Sequence, residues 1–104
     1  MIHQFDVYPN PSRRGRQERP FVVVLQIDRL SDSQTRLVAP LVAQSEMNPA
    51  PRLNPAFKID GVTVYFHPAE IAPVPARLLR VPVANLESER YRIIAAIDMI
   101  FTGV

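Results

Sequence analysis

Cysteine is absent from the 104 residues of this chain. Without it the protein has no disulfide and no thiolate metal site, which suits a reducing cytoplasm. Long apolar runs are also missing, since none approaches the roughly 18 residues that a membrane-spanning helix needs. The N-terminus, MIHQFDVYPN, has no basic segment leading into a hydrophobic one, so it lacks the pattern of a signal peptide. We therefore expect a cytoplasmic protein.

Glycine is scarce, with three residues, whereas proline occurs eleven times. Because proline interrupts helices and central strands, the chain should consist of short strands separated by firm corners. The length predicts a single domain over residues 1–104, and a hydrophobic content of 47% provides a core of modest size. A small β-rich domain often covers its remaining apolar surface with a second copy of itself, which favours a homodimer.

Lysine is nearly missing as well, since Lys58 is the only one among twelve basic residues. The formal net charge of +2 is too small to indicate nucleic-acid binding by itself. Arginine is suited to bidentate contacts with carboxylates and phosphates, although a bias in genomic composition would also produce this imbalance. Charge alone therefore assigns no partner.

A succession of strand patterns fills most of the chain. HQFDVY alternates, FVVVLQI is a continuous β-branched run typical of a buried strand, and TRLVAPLV follows. Pro40 in the third segment predicts an edge strand or a bulge. AFKIDGVTVYFH predicts a hairpin that turns at Asp60 and Gly61. AEIAPVPARLLRVPV predicts one or two short extended pieces.

The spacing of apolar residues changes after Pro82. From about Asn85 they recur at helical spacing. These positions are Leu86, Tyr91, Ile94, Ile97 and Phe101, with Ile93 and Ile100 beside them. We expect Asn85 or Ser88 to cap the helix and Gly103 to end it in a left-handed conformation. Core packing is expected for Ile94 and Ile97. The pattern predicts a mainly β fold, an antiparallel barrel or curled sheet, with one C-terminal helix.

Residues typical of catalytic and metal sites are few. His3 and His67 are the only histidines, and neither has an acidic partner at the spacing of metal ligands. No glycine-rich phosphate loop and no serine or threonine nucleophile motif occurs. The sequence therefore predicts no metal and no cofactor.

Two segments remain as candidate contact surfaces. RRGRQER places Arg13, Arg14, Arg16 and Arg19 in one loop, which is either a solvated loop or a surface for an anion such as an acidic peptide or a nucleic-acid backbone. The second is the tail AAIDMIFTGV, which has no charged side chain after Asp98. Apolar residues at a chain end are hard to cover within one small domain, so a dimer contact or a partner site is expected there.

The order and spacing of several short motifs resemble the CcdB family of toxins from toxin–antitoxin pairs. The motifs are FDVY, an arginine-bearing loop before FVVVLQID, TRLVAPL, RLNPAFKIDG, IAPVP, VPVANL and AAIDMIFTGV. The resemblance covers nearly the whole chain and implies an SH3-like antiparallel β-barrel of the CcdB/MazF type, assembled as a homodimer. It further implies a toxin that is not an enzyme. Such a toxin binds the DNA gyrase A subunit, traps the cleaved DNA–gyrase complex, and is neutralised by an acidic, partly disordered CcdA-like antitoxin.

The resemblance also implies contact residues. The gyrase contacts fall on Arg29, Leu30, Asp98, Phe101, Thr102, Gly103 and Val104. Thr102 departs from the best-known family pattern, which has a tryptophan that stacks on a gyrase arginine. The antitoxin contacts fall on Arg13, Arg14, Arg16 and Arg19.

Two alternatives remain open at this point. ERPFVVVLQ is similar to the Arg-Pro-x-x-Val-Leu strand of MazF/PemK-type endoribonucleases, in which Arg19 would act as an acid or stabilise charge during RNA cleavage. No companion set of catalytic residues accompanies it. The other alternative is a non-toxic CcdB-like binding module that keeps the fold and the antitoxin contact.

Overall fold

The computed structural model describes residues 1–30 and 33–103. Its seven strands are β1 (Asp6–Pro9), β2 (Phe21–Val24), β3 (Thr35–Ala43), β4 (Ala56–Ile59), β5 (Val62–Phe66), β6 (Ala72–Pro75) and β7 (Ala84–Asn85), and they precede one helix, α1 (Arg90–Thr102). The sheet order is β4-β5-β3-β2-β1-β7, and β6 pairs with β3. All pairings are antiparallel, and the sheet curls into a nearly closed barrel, which confirms the predicted fold class.

Pro40 lies inside β3, the strand with most partners, and not at an edge or a bulge as predicted. One side of β3 pairs with β2, while its other side pairs with β6 over residues 35–38 and with β5 over residues 41–43. The Pro40 carbonyl accepts the His67 N–H at 3.1 Å, so it faces that second side. The N and O of one strand residue point to the same side. The proline nitrogen therefore faces the gap between β6 and β5, where no strand needs its missing N–H.

The hairpin prediction at Asp60 and Gly61 is confirmed. Their φ angles are 51° and 78°, and they connect β4 to β5 directly. Two consecutive left-handed residues form the turn whose twist matches that of the flanking strands. Asp and Gly tolerate this conformation best, which explains why so short a signal was reliable.

The β-branched run of β2 serves two cores. Val23 faces the main core inside the barrel, while Val22 and Val24 face a smaller cluster on the other side of the sheet. Successive strand residues point to opposite faces, so a strand covered on both faces is apolar throughout. The smaller cluster is completed by Tyr8, Val38 and Leu79.

The helix begins later than predicted. A 3-10 turn over Glu87–Glu89 precedes α1, and Asn85 Oδ1 accepts the Glu87 N–H at 2.8 Å. The N-cap residue of α1 is Glu89, which makes no side-chain capping bond, so the predicted cap by Asn85 or Ser88 is wrong. At the other end Gly103 is left-handed, with φ 78°, and its N–H donates to the Met99 carbonyl at 3.0 Å. The predicted glycine end of the helix is therefore confirmed.

The helix packs on a different face from the one predicted. Ile93 and Ala96 are fully buried and Ile97 packs beside them, whereas Ile94 is 38% exposed and Tyr91 is 83% exposed. The expectation of core packing is therefore confirmed for Ile97 and wrong for Ile94. Large apolar residues lie on nearly every side of α1, so the sequence pattern did not predict which face of the helix is buried. One of the two fully buried helix residues is the small Ala96, which lets the helix approach the sheet closely.

Candidate partner-binding surfaces

The C-terminal end of α1 forms the first candidate surface. We define the helix-end surface as Asp98, Phe101, Thr102 and Gly103; all four are exposed, and Val104 lies outside the described residues. Phe101 is 75% exposed, which is unusual for a phenylalanine in a monomer with an apolar core to pack against. The Thr102 hydroxyl donates to the Asp98 carbonyl at 2.7 Å, so its proton is used within the helix.

An exposed apolar band continues from Phe101 along the outside of the helix. Tyr91 and Ile94 share this face because they are spaced three or four residues from one another and from Asp98. Asp98 is a charged side chain on this face, between Ile94 and Phe101. A band of this kind marks a contact with another protein surface more often than a solvated helix face.

The predicted contacts in the loop after β2 lie on a short 3-10 turn, Asp28–Leu30. Arg29 is exposed, and the side chain of Leu30 lies outside what the structure describes. The Asp28 carboxylate accepts the Gln4 N–H at 2.6 Å and lies 3.1 Å from His3 Nδ1. The hydrogen bond from Gln4 has the largest effect on the pKa of Asp28, and together with the contact to His3 it holds that pKa below its ordinary value. The turn is therefore fastened to the N-terminal segment.

Hydrogen bonds lead from this turn to the start of α1 and not to its end. Asn85 Nδ2 donates to the Gln4 carbonyl at 3.2 Å, and Oδ1 of the same side chain accepts the Glu87 N–H in the turn before the helix. The 13 residues of α1 span about 20 Å at 1.5 Å per residue. Within residues 1–30 and 33–103, no hydrogen bond or ion pair joins Arg29 to the helix-end surface. A target that contacts both must cover the length of the helix or reach them on two subunits.

The second candidate surface is the arginine loop, residues 10–20, which has a defined internal structure. It contains a 3-10 turn over Arg13–Gly15. The Arg19 N–H donates to the Gly15 carbonyl at 2.7 Å, and Asn10 Nδ2 donates to the Arg19 carbonyl at 2.8 Å. Arg16 Nε donates to the Asn10 carbonyl at 2.6 Å. These bonds close the loop on itself.

Arg19 fastens the arginine loop to the rest of the barrel. Its guanidinium binds the Glu70 carboxylate in a bidentate pair, with Nε to Oε1 at 2.7 Å and Nη2 to Oε2 at 2.9 Å. Glu18 lies 3.2 Å away on the same guanidinium. The hydrogen bond with Glu70 raises the pKa of Arg19 and lowers that of Glu70. Glu70 is 51 residues distant in the chain, so the sequence pattern held no sign of this pair.

The four arginines of this loop therefore have unequal surroundings. Arg19 and Arg16 are bound within the protein, as described above. Arg13 and Arg14 are exposed, and across residues 1–30 and 33–103 no hydrogen bond or ion pair is seen for their side chains. Their charges face solvent.

The surroundings of Arg19 also bear on the ribonuclease alternative. A catalytic arginine in RNA cleavage stabilises negative charge that develops on the phosphate. Here the guanidinium of Arg19 is already paired with two carboxylates, Glu70 and Glu18. This geometry favours a structural role for Arg19.

A cleft of about 220 Å³ beside the helix was missed by the sequence analysis. Its lining is Pro51, Arg52, Pro55, Arg92, Ala95 and Met99. Arg92 donates to Glu89 at 2.9 Å and to the Ala56 carbonyl at 3.1 Å, and lies 4.8 Å from the centre of the Phe57 ring. It therefore ties the helix to β4. The spacing of Glu89 and Arg92 was the one available signal.

In the described part of the chain, no three side chains of the types that bind metals come together. None of the helices described there has the length and apolar character needed to cross a bilayer.

The comparisons with known proteins agree with the motif order. The family model described as CcdB protein matches residues 4–103, nearly the whole chain. No curated protein is similar enough to this chain to count as a match. The family match covers the helix-end surface up to Gly103 and the complete arginine loop.

Proposed function

This chain belongs to the CcdB family and is a toxin of a toxin–antitoxin module, and we propose that it binds the DNA gyrase A subunit and traps the cleaved DNA–gyrase complex. The observation that carries this proposal is the exposed Phe101 at the end of a helix anchored in the core. The proposed contacts are those predicted by resemblance. They are Arg29, Leu30, Asp98, Phe101, Thr102, Gly103 and Val104.

The geometry suits a binding role. Ile93 and Ala96 fix the helix on the barrel, so Phe101 is presented without a large loss of backbone freedom on binding. Burying a phenylalanine side chain contributes about 1.5–3 kcal/mol. Asp98, one turn earlier, can accept a hydrogen bond from an arginine or a backbone N–H of the target. Left-handed Gly103 ends the helix directly after Thr102.

We propose that the toxin acts as a homodimer. The exposed side chains of Tyr91 and Ile94 give the outer helix face an apolar surface that a second copy would cover. Two subunits related by a twofold axis would present two helix-end surfaces at once. Such an arrangement matches a target that is itself a dimer, as the gyrase A subunit is in the family mechanism.

Thr102 sets the strength of the proposed contact. Threonine has no ring to stack on an arginine of gyrase, and its hydroxyl already binds the Asp98 carbonyl. We therefore expect this chain to hold gyrase more weakly than relatives with tryptophan at this position.

The antitoxin is proposed to bind the arginine loop. Arg13 and Arg14 offer free guanidinium groups to the carboxylates of an acidic, partly disordered CcdA-like segment. Arg16 and Arg19, also predicted as antitoxin contacts, shape the loop through their internal bonds. Because the loop is already ordered, a disordered partner bears most of the entropy cost of binding.

The test is a gyrase cleavage assay with purified protein, supercoiled plasmid and ATP, stopped with detergent and protease. We expect linear DNA to accumulate with increasing toxin. A variant that lacks Gly103 and Val104 should fold normally and yield no linear DNA. The matched control is Val62→Ala, a half-exposed residue in the β4–β5 hairpin. Absence of linear DNA with gyrases from several related hosts would contradict the proposal.

A further inference from the structure

A groove beside the arginine loop shares only Arg16 with the proposed antitoxin contacts. We define the side groove by its lining, Tyr8, Pro9, Arg16, Leu78, Arg80 and Val81, which encloses about 350 Å³. Val81 is 71% exposed, and Leu78 is also exposed. Neither residue was singled out by sequence patterns, because the segment 76–83 has no clear period.

The wall of the side groove is held in a fixed shape. Leu79, between the two exposed apolar residues, is buried in the smaller core cluster. Its N–H donates to the Ala76 carbonyl at 3.0 Å, and the Val83 N–H donates to the Val7 carbonyl at 2.8 Å. The exposed Leu78 and Val81 are therefore presented by a segment that is anchored on both sides.

The floor of the side groove is apolar and uncharged at neutral pH. The Tyr8 side chain is 2% exposed, and its hydroxyl donates to the Asp6 carboxylate at 3.2 Å. Burial, followed by the charge of Asp6, raises the pKa of Tyr8 to about 12. The ring is thus covered, and its hydroxyl is already used within the protein.

The two charged side chains that line the side groove are both positive. Arg16 and Arg80 line it, Arg13 and Arg14 lie in the adjoining turn, and no carboxylate is among the lining residues. The bond from Arg16 Nε to the Asn10 carbonyl orients that guanidinium and leaves its terminal nitrogens available. An occupant of this groove should therefore carry negative charge and, to cover Val81 and Leu78, an apolar group.

We propose that the side groove binds an acidic peptide segment through an apolar side chain, which packs on Pro9, Leu78 and Val81 while neighbouring carboxylates pair with Arg16 and Arg80. This inference rests on the proposed function, since such a segment would belong to the antitoxin. It adds an apolar anchor to a contact that charge alone would leave weakly specific. A leucine-sized side chain is the class of anchor that this lining fits.

A nucleic-acid backbone fits the side groove less well than a peptide does. Proteins that bind single strands without sequence preference place exposed aromatic rings in a basic groove. Tyr8, the one aromatic residue of the lining, is buried. The exposed valine and leucine would remain uncovered by phosphates. The peptide is therefore the occupant that the side groove favours.

The test uses two fluorescent, aspartate-rich peptides that are identical except for one central position, leucine in one and serine in the other. Burial of the leucine should make that peptide bind the wild-type protein about tenfold more tightly. Equal affinity of the two peptides would overturn the proposal. An oligothymidylate is the third probe, and its binding at least as tightly as the leucine peptide would assign the groove to nucleic acid instead.

Matched variants locate the binding site. Val81→Asn should remove the preference for leucine and keep the binding of the serine peptide, whereas Arg80→Gln should weaken both peptides to a similar degree. Val62→Asn and Arg77→Gln are the controls, being exposed residues of the same types outside the groove. If Val81→Asn retains the full leucine preference, the apolar anchor lies elsewhere and the proposal fails.

The two proposals fail separately. Val81→Asn should still trap cleaved DNA on gyrase, since the side groove does not include the helix-end surface. A wild-type protein that prefers the leucine peptide but yields no linear DNA would refute gyrase poisoning alone. Normal gyrase poisoning with no leucine preference would refute the side groove alone.

Discussion

The helix-end surface and the arginine loop are held in place by different forces. The helix end is supported by apolar packing of Ile93 and Ala96 and by the backbone bond of Gly103. The arginine loop is held by hydrogen bonds and by the ion pair between Arg19 and Glu70. Apolar packing carries no titrating group and is not screened by salt, whereas a partly exposed ion pair depends on both salt and pH. One surface should therefore keep its shape under conditions that loosen the other.

The largest expected effect is on the packing that supports the helix end. Ile93→Ala removes a fully buried side chain and should lower the free energy of unfolding by about 2–5 kcal/mol. Ile94→Ala, its neighbour on the exposed side, should cost less than about 1 kcal/mol. Urea unfolding of both variants measures the difference. Equal losses would mean that the helix packs with a different rotation.

The next effect separates the two surfaces by function. Phe101→Ala should reduce gyrase trapping about tenfold or more, because the exposed ring contributes apolar burial only in the complex. Unfolding free energy and binding of aspartate-rich peptides should be unchanged. Titration of linear DNA against toxin concentration measures gyrase trapping, and a fluorescence assay measures peptide binding. A parallel loss of peptide binding would show that the surfaces overlap.

Charge reversal in the arginine loop should give the opposite pattern. Replacing Arg13 and Arg14 together by Glu should weaken binding of an acidic antitoxin or aspartate-rich peptide by about 1–3 kcal/mol, with little change in gyrase trapping. Arg77→Glu is the control for nonspecific charge, since it is exposed outside the loop. If gyrase trapping falls as much as antitoxin binding, the two partners share this surface.

A gain of function would sharpen the role of the helix end. Thr102→Trp restores a ring that can stack on an arginine of gyrase, a contact worth about 1–2 kcal/mol when desolvated. Less toxin should then be needed for the same amount of linear DNA. Thr102→Val, which lacks both the ring and the hydroxyl, serves as the control. An unchanged titration with Trp would indicate that this chain does not present position 102 to gyrase.

The smallest effect is the pH dependence of the arginine loop. Because Arg19 lowers the pKa of Glu70 below its ordinary 4.5, the stabilisation is complete above that pH and is lost as the pH falls through the lowered value. The pair is partly exposed, so the loss should be below about 1 kcal/mol. The Arg19 Nε–H resonance should shift with this titration. Glu70→Gln should abolish the shift, and a shift that persists in this variant would assign it to another group.

Some predictions succeeded because their signals are local. The left-handed turn at Asp60 and Gly61 and the helix end at Gly103 depend on the φ angles that single residues tolerate. The two-faced burial of β2 follows from its own β-branched run. Each of these features is determined by a few adjacent residues and does not depend on which distant segments pack against them.

The candidate site was only partly predictable for the opposite reason. The sequence placed four arginines in one loop, yet their roles differ because Glu70, far along the chain, lies against Arg19 and not against Arg13. Pro40 was expected at an edge, although it lies within β3. The gap that accommodates its missing N–H is left between β5 and β6, two strands that the local sequence does not reveal. The side groove was not predicted, because Arg16 and Arg80 lie far apart in the sequence and line one groove only in the folded barrel.

The sequence by itself determined the strand segments, the hairpin turn, the glycine end of the helix and, through motif order, the CcdB family. Those properties are encoded by neighbouring residues or by their order. The tertiary structure alone decided which face of the helix is buried, which arginines stay free, and that Val81 lies exposed beside two guanidinium groups. These outcomes depend on the packing of distant segments, where a small alanine or a single remote carboxylate changes which side chains reach the surface.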